Sequence, residues 1–293
     1  MTAVDDALVR RFEEHRDHVR MVAFRVLGSL ESAEDAVQET WIRLASSDAD
    51  AIANLPGWLT TAVSRICLDM LRAQRSRPRE LIGHPLPDVV DPATTGDPEH
   101  EALLVDSVGR ALLVVLDRLS PEERVAFVLH DAFGVPFDRL APVVGRSPST
   151  TKKLASRARR KVRGDTAVSA TELAERRRVV EAFLAAARAG DIDAVTAVLA
   201  PDVVRRADRA AIPADRPAEV RGARKVADEI AVFGRRARFA APLLVDGDVG
   251  LVVASRARPE LVLTFEFADH RITGYELIAD PARLACLTLA VLP

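Results

Sequence analysis

The sequence predicts a multidomain chain in which two all-α lobes are followed by a mixed α+β domain. Three observations carry that prediction. Apolar residues recur at helical spacing from Met1 to Arg79 and again from Glu101 to Arg163. The stretch between the two, about 80–100, has no periodicity and is rich in Pro, Gly and Asp, as an extended linker would be. After a shorter break at 164–170, alternating and β-branched segments appear from about Pro201. The expected domains are therefore 1–79, a linker 80–100, 101–164 and 171–293. With 293 residues, 48% of them hydrophobic, the chain has ample material for more than one buried core.

In the first lobe, Ser32-Ala33-Glu34-Asp35 reads as a capping sequence for a helix that buries Ala33, Val37, Trp41 and Leu44. Its other face carries Glu34, Asp35, Gln38, Glu39 and Ile42, an acidic surface around one apolar residue. Such a surface suits a basic protein partner better than nucleic acid. After Pro56-Gly57, the segment Trp58 to Arg72 places Leu59, Ala62, Ile66 and Met70 inward. Arg65, Asp69 and Arg72 point outward, with Arg65 and Asp69 spaced as an i, i+4 pair. Arg75, Arg77 and Arg79 extend this basic edge, and Thr60 and Thr61 add hydroxyls near the helix start. A DNA backbone can lie along it.

In the second lobe, Ser120-Pro121-Glu122-Glu123 is a capping box with proline just inside the helix, opening a run that Gly134 closes. The short segment Phe137 to Val144 then meets a turn at Gly145. Ser147 caps the next helix and Pro148 fits its first position. Leu154, Ala158 and Val162 give that helix one apolar edge. Ser149, Lys152, Lys153, Ser156, Arg157 and Arg160 fall on the other side, with Ser147 and Thr150 at its start. This is helix-turn-helix grammar, and the second face is a candidate major-groove surface.

The formal net charge is −2, and a near-neutral chain that carries a concentrated basic helix has its positive charge placed locally, as in a sequence-directed binder rather than a bulk nucleic-acid coat. Met1 to His15 is too charged for a secretory signal, and no apolar run approaches the roughly 18 residues that span a bilayer. A cytoplasmic protein without membrane contact is expected. Cys67 and Cys286 have no metal-type spacing and read as two reduced, packed thiols. His15 and His18 lack further ligands. No metal, cofactor or catalytic turnover is implied.

Together these residues resemble the extracytoplasmic-function group of bacterial sigma factors. Ala33-Glu34-Asp35-Ala36-Val37-Gln38-Glu39-Thr40-Trp41-Ile42-Arg43-Leu44 is similar to the region 2 helix that docks on core RNA polymerase. The resemblance assigns polymerase binding to Asp35, Gln38, Glu39, Ile42 and Arg43. Pro56-Gly57-Trp58-Leu59, with Arg65, Asp69 and Arg72, is similar to the part facing the −10 element, implying Thr60, Thr61, Arg65, Arg72 and Arg75 as contacts. By the same resemblance the loop Ser46 to Leu55 would hold a flipped −10 base, although it offers no aromatic platform. Leu119-Ser120-Pro121-Glu122-Glu123-Arg124 and the helix-turn-helix resemble region 4. Its −35 contacts would be Ser147, Ser149, Thr150, Lys152, Lys153, Ser156, Arg157 and Arg160.

In the tail, Val179 to Asp191 and Leu199 to Val204 resemble the opening of a SnoaL-like (NTF2-like) domain, a cone-shaped α+β fold. Strands are expected at Ala237 to Val245, Gly250 to Ala257, Glu260 to Ala268 and Ile272 to Ile278, with a helix from Asp280. In sigma factors with such a tail the domain is a built-in regulator. This chain departs from the subgroup in its aromatic-free linker Leu81 to Asp88, at Ala207-Asp208-Arg209-Ala210-Ala211, and at Ile278-Ala279-Asp280-Pro281-Ala282-Arg283-Leu284. Phe183, Phe239, Phe265 and Phe267 read as ordinary core, and a small-molecule ligand of the cone stays open. Two rival readings stand beside this one: a tail enzyme built on Asp208, Arg206 and His270, and a one-component helix-turn-helix regulator with a ligand-sensing or enzymatic tail. The residues favour a promoter-recognition subunit whose partners are core RNA polymerase and promoter DNA.

Overall fold

The computed structural model describes residues 6–76, 107–255 and 258–293. The expected linker 80–100, with Arg77 and Arg79, lies outside the described residues. The described residues fall into two compact units, 6–76 with 116–161, and 107–115 with 162–255 and 258–293.

The first unit opens with α1 (Asp6–Leu27), α2 (Leu30–Ala45) and α3 (Leu55–Ser76), which pack on one another. Phe12, Val19, Val22 and Val26 of α1 are buried, and the Phe12 ring lies 5.1 Å from Trp41 of α2. The cap of α2 is Ser29, not Ser32. Gly28, at φ +75°, ends α1, and Ser29 in an extended conformation accepts the Ser32 N–H at 3.3 Å, so the helix starts at Leu30. Ala33, Val37 and Leu44 are buried as expected, joined by Ala36 and Thr40, while Trp41 is half-buried.

Helix α3 also starts earlier than expected. Asn54 accepts the Gly57 N–H on its side chain and the Trp58 N–H on its carbonyl, both at 3.0 Å, which sets the first turn at Leu55. Met70 is half-exposed rather than inward. Asp69 pairs with Arg72 at i, i+3 and 3.8 Å, in place of the expected pairing with Arg65. The buried residues of α3 wrap round two sides, Leu59, Ala62, Val63 and Ile66 on one and Ser64, Leu68 and Leu71 on the other. The helix accordingly packs on α1 and α2 and also on two helices from later in the chain.

Those later elements begin with α4 (Ser107–Asp117) and continue with α5 (Pro121–Phe127), a wide π turn (Val128–Ala132), α6 (Phe137–Val144) and α7 (Pro148–Arg163). The partners of α3 are α5 and α6. The capping box at α5 is complete: Ser120 Oγ accepts the Glu123 N–H at 3.1 Å and Glu123 Oε2 accepts the Ser120 N–H at 3.0 Å.

The second unit carries α8 (Ala170–Ala189), capped by Ser169 and ended by Gly190, and α9 (Ile192–Val198), capped by Asp191. A seven-stranded sheet follows, built from β1 (Leu199–Ala207), β2 (Glu219–Arg221), β3 (Ala240–Val245), β4 (Asp248–Ser255), β5 (Arg258–Ala268), β6 (Arg271–Ile278) and β7 (Leu289–Ala290). Its order is β2-β1-β6-β5-β4-β3-β7, antiparallel except for the β1–β6 pair. Helix α10 (Ala223–Phe233) enters between β2 and β3, and α11 (Pro281–Cys286) starts at the Asp280 cap. Phe183, Phe265 and Tyr275 pack edge-on or tilted, with ring centroids 5.6–6.0 Å apart, in the core that α8, α9 and α10 form with the sheet.

The four expected strands are present. Residues Ala237 to Phe239, assigned to the first of them, instead close a 3-10 turn, and β1, β2 and β7 come in addition to those expected. Cys67 is buried, but Cys286 is exposed at the end of α11 and is not a packed thiol. The break after α7 is firmly held: Ala167 N–H donates to Gly247 O at 2.8 Å, and a Cβ on Gly164, at φ +61°, would collide with Ala290.

Candidate nucleic-acid interface

The helix-turn-helix forms as its sequence dictates. Gly145 takes the left-handed conformation, φ 66° and ψ 38°, that ends α6, and Arg146 N–H returns to Ala141 O at 3.0 Å. Ser147 Oγ then accepts the Thr150 N–H at 3.3 Å and lies 3.1 Å from Ser149 Oγ and 2.9 Å from Thr150 Oγ1. The first turn of α7 therefore presents three hydroxyls and no acid. Such an end favours phosphate.

The buried stripe of α7 is Thr151, Ala155, Ala158 and Val162, while Leu154 is only half-buried. Ser147, Ser149, Thr150, Lys152, Lys153, Ser156, Arg157 and Arg160 are all exposed, so the structure brings the expected face together intact. Two other cations hold the helix. Arg159 binds Asp131 at 2.6 Å, and Lys161 binds Glu123 at 2.8 Å. Burial by itself would raise the Glu123 carboxyl, but the bonds from Lys161 and Ser120 bring it below its ordinary value of 4.5. Lys152, Lys153, Arg157 and Arg160 form no ion pair among the described residues.

Along α3, Thr61, Arg65 and Arg72 share one stripe. Thr60 Oγ1 donates to Pro56 O at 2.8 Å and sits 3.2 Å from His18 Nε2, and Thr61 Oγ1 donates to Gly57 O at 2.9 Å. Arg65 is exposed. Arg72 and Arg75 are engaged: Arg72 Nε and Nη2 donate to Glu122 Oε1 at 3.0 and 2.7 Å, and Arg75 Nη2 donates to Leu119 O at 2.9 Å. These contacts escape sequence reasoning, because partners 50 and 44 residues apart leave no local signal.

On α2, Ile42 is 56% exposed, with Asp35 and Gln38 exposed and Glu39 half-buried around it. Arg43 Nε donates to Glu39 Oε1 at 3.0 Å. Glu34 is drawn off this face by Arg16 and Arg20 of α1, at 3.4 and 3.6 Å. What remains is an apolar centre with a polar, partly acidic rim, the anatomy of a protein interface.

The residues considered for tail catalysis do not converge. Asp208 is a brace and not part of a solvated loop. Its Oδ2 accepts the Ala279 and Asp280 N–H groups at 2.9 and 2.8 Å, and its Oδ1 accepts the Ala211 N–H at 3.0 Å. Arg206 is spent on Glu266 and Glu219, at 3.0 and 3.7 Å. His270 occupies the tight β5–β6 turn, φ 60°, with Glu175 at 3.6 Å. Phe183 and Phe265 are buried core, as expected, Phe267 packs at its edge, and Phe239 is half-buried under Arg238.

Residues 11–77 match the Sigma-70 region 2 family, and residues 109–162 match Sigma-70, region 4. The chain is 37% identical over 292 residues to the "ECF RNA polymerase sigma factor SigJ" of Mycobacterium tuberculosis (strain ATCC 25618 / H37Rv), covering 93% of this chain and 92% of that protein. It is 37% identical over 206 residues to the "Probable ECF RNA polymerase sigma factor SigI" of Mycobacterium tuberculosis (strain CDC 1551 / Oshkosh), covering 69% and 70%. The crystal structure of the Mycobacterium tuberculosis extracytoplasmic function sigma factor SigJ aligns with a TM-score of 0.46 at 34% identity, over 94% of this chain and 98% of that one.

Proposed function

Because the chain belongs to the extracytoplasmic-function RNA polymerase sigma factors, we propose how its surfaces divide the work of promoter recognition. Sigma factors bind core RNA polymerase and direct initiation at promoters. In this chain the exposed face of α7, Ser147, Ser149, Thr150, Lys152, Lys153, Ser156, Arg157 and Arg160, reads the −35 element. The observation that carries this is the split among the helix's cations: Arg159 and Lys161 fix the helix to its own lobe, while Lys152, Lys153, Arg157 and Arg160 face outward.

Thr60, Thr61, Arg65, Arg72 and Arg75 of α3 contact the −10 element, and the two threonine hydroxyls can still accept bonds while they donate to the backbone. The patch Asp35, Gln38, Glu39, Ile42 and Arg43 docks on core polymerase, Ile42 supplying the apolar centre. The functional divisions are 1–79 for polymerase and −10 contact, 101–164 for −35 contact and 171–293 for regulation, and the protein acts in the cytoplasm without catalytic turnover. The braced role of Asp208 supports a regulatory rather than an enzymatic tail.

The test is run-off transcription with purified core polymerase, the full-length chain and a version ending at Arg163. Specific transcripts whose yield differs between the two versions are expected. Equal yields would remove the regulatory role of the tail.

A further inference from the structure

The space between the helices and the sheet of the tail domain is filled by its own aromatic residues, Phe183, Phe265 and Tyr275. A cleft of about 450 Å³ lies instead at the rim, where β1, β2 and β6 meet α9 and the start of α10. Two backbone irregularities make it. Leu199 pairs with Ile272 and Val204 with Gly274, so β1 bulges between them, with Pro201 in the bulge. Gly222, at φ +96°, then turns the chain from β2 into α10 and donates its N–H to Val203 O at 2.9 Å.

The cleft joins an apolar floor to a cationic wall. Leu199 and Ala223, both buried, form the floor. The wall carries Arg221 of β2, Arg224 and Lys225 of α10, and Arg271 of β6, all of them exposed. Acids answer only part of this charge. Arg221 meets Glu219 at 2.7 Å, and Arg224 meets Asp228 at 3.4 Å and Asp193 at 3.8 Å. Lys225 and Arg271 form no ion pair among the described residues, and Arg271 Nη1 donates to Leu199 O at 3.4 Å. The first turn of α10 holds no acid that would repel an anion.

We propose that this cleft binds a small organic phosphate, its phosphate held by Lys225 and Arg271 and its organic part resting on Leu199 and Ala223. The volume falls within the range of about 300–1,000 Å³ of small-molecule sites, and the floor rewards an apolar group that a bare anion lacks. A nucleic-acid strand needs an extended basic track, whereas these cations converge on one hollow. Bound there, the ligand ties α10 to β6 across the bulge of β1. Its use as an input rests on the regulatory role given above to the tail, but the binding itself does not.

The test is isothermal titration calorimetry of the full-length chain with phenyl phosphate, inorganic phosphate and phenol. Phenyl phosphate is expected to bind about tenfold tighter than inorganic phosphate, and phenol to give no measurable heat. Lys225→Gln/Arg271→Gln should weaken phenyl phosphate about tenfold at an unchanged urea midpoint, while Arg178→Gln, an exposed cation of α8 outside the cleft, should leave it as in wild type. No phenyl phosphate binding, or unchanged affinity in Lys225→Gln/Arg271→Gln, would overturn the site. Equal affinity for inorganic and phenyl phosphate would overturn the organic ligand. Loss of affinity for a random-sequence duplex DNA pool in that variant, with phenyl phosphate unaffected, would assign the two cations to nucleic acid instead. Calorimetry reads binding directly, so its failure is distinct from a failure of the tail to alter transcript yield.

Discussion

Lys161 Nζ lies 2.8 Å from Glu123 Oε2, the same oxygen that accepts the Ser120 N–H at 3.0 Å. One carboxylate therefore caps α5 and anchors the far end of α7, so the local sequence signal Ser-Pro-Glu-Glu also ties down the candidate recognition helix. Replacing Glu123 with Ala removes both roles. The expected loss is about 1–2 kcal/mol, read as a lower urea midpoint at unchanged slope.

Glu122 and Glu123 both titrate below the ordinary value of 4.5. For each, burial pulls upward and is outweighed, at Glu122 by the bond from Arg72 and the charges of Arg72 and Arg146, and at Glu123 by Lys161 and Ser120. A depressed folded-state pKa stabilises above the unfolded value and is lost as pH falls through the folded one. Their contribution should be constant from pH about 6 to 8 and be lost progressively as pH falls below about 4.5 and through the lower folded-state values. Denaturation of wild type and a Glu122→Gln/Glu123→Gln variant should converge at low pH, whereas a gap that stays constant from neutral pH down to acid pH would refute the assignment.

The cations facing outward on α7 predict a specific salt dependence. Arg157→Ala or Arg160→Ala should weaken promoter binding and reduce the log-log salt slope by roughly one each, if each neutralises one phosphate. Arg159→Ala should instead act through stability, because its partner is Asp131.

On α2, Asp35→Lys should weaken capture of core polymerase while leaving DNA binding by α7 unchanged. Ile42→Ala should do the same through lost apolar contact, by about 1 kcal/mol or fivefold in affinity. Retention of full polymerase affinity by both would move the docking surface elsewhere.

In the tail, Asp208→Ala strands three backbone N–H groups, two of them at the start of α11. A loss of about 3 kcal/mol in the stability of the full chain is expected, measured by urea denaturation. Asp208→Asn, which keeps an acceptor, should recover part of it. If both variants were as stable as wild type, the brace would carry no weight.

Much of this is legible in the sequence because its determinants are local. The α7 face follows from Gly145, Ser147 and Pro148 and from helical spacing, since turn, cap and period act within a few residues. The cap of α2 is easily misplaced by three residues because Ser29 and Ser32 are equally good acceptors, and only the left-handed Gly28 decides between them. Strand β1 escapes notice because Pro201, Asp202, Arg205 and Arg206 break its alternation. Arg205 is buried there through its pair with Glu229 at 2.6 Å, which no periodicity announces. The contacts of Arg72 and Arg75 are illegible for the same reason, being made to residues far away in sequence.

Whether the outward face of α7 reads the promoter is decided by run-off transcription from a mapped promoter, comparing the full-length protein with an Arg157→Ala/Arg160→Ala variant on core polymerase, with core capture measured in parallel. A specific transcript is expected with wild type and lost with the variant while core capture stays intact. A variant that binds core and initiates as well as wild type would show that this face does not read the promoter.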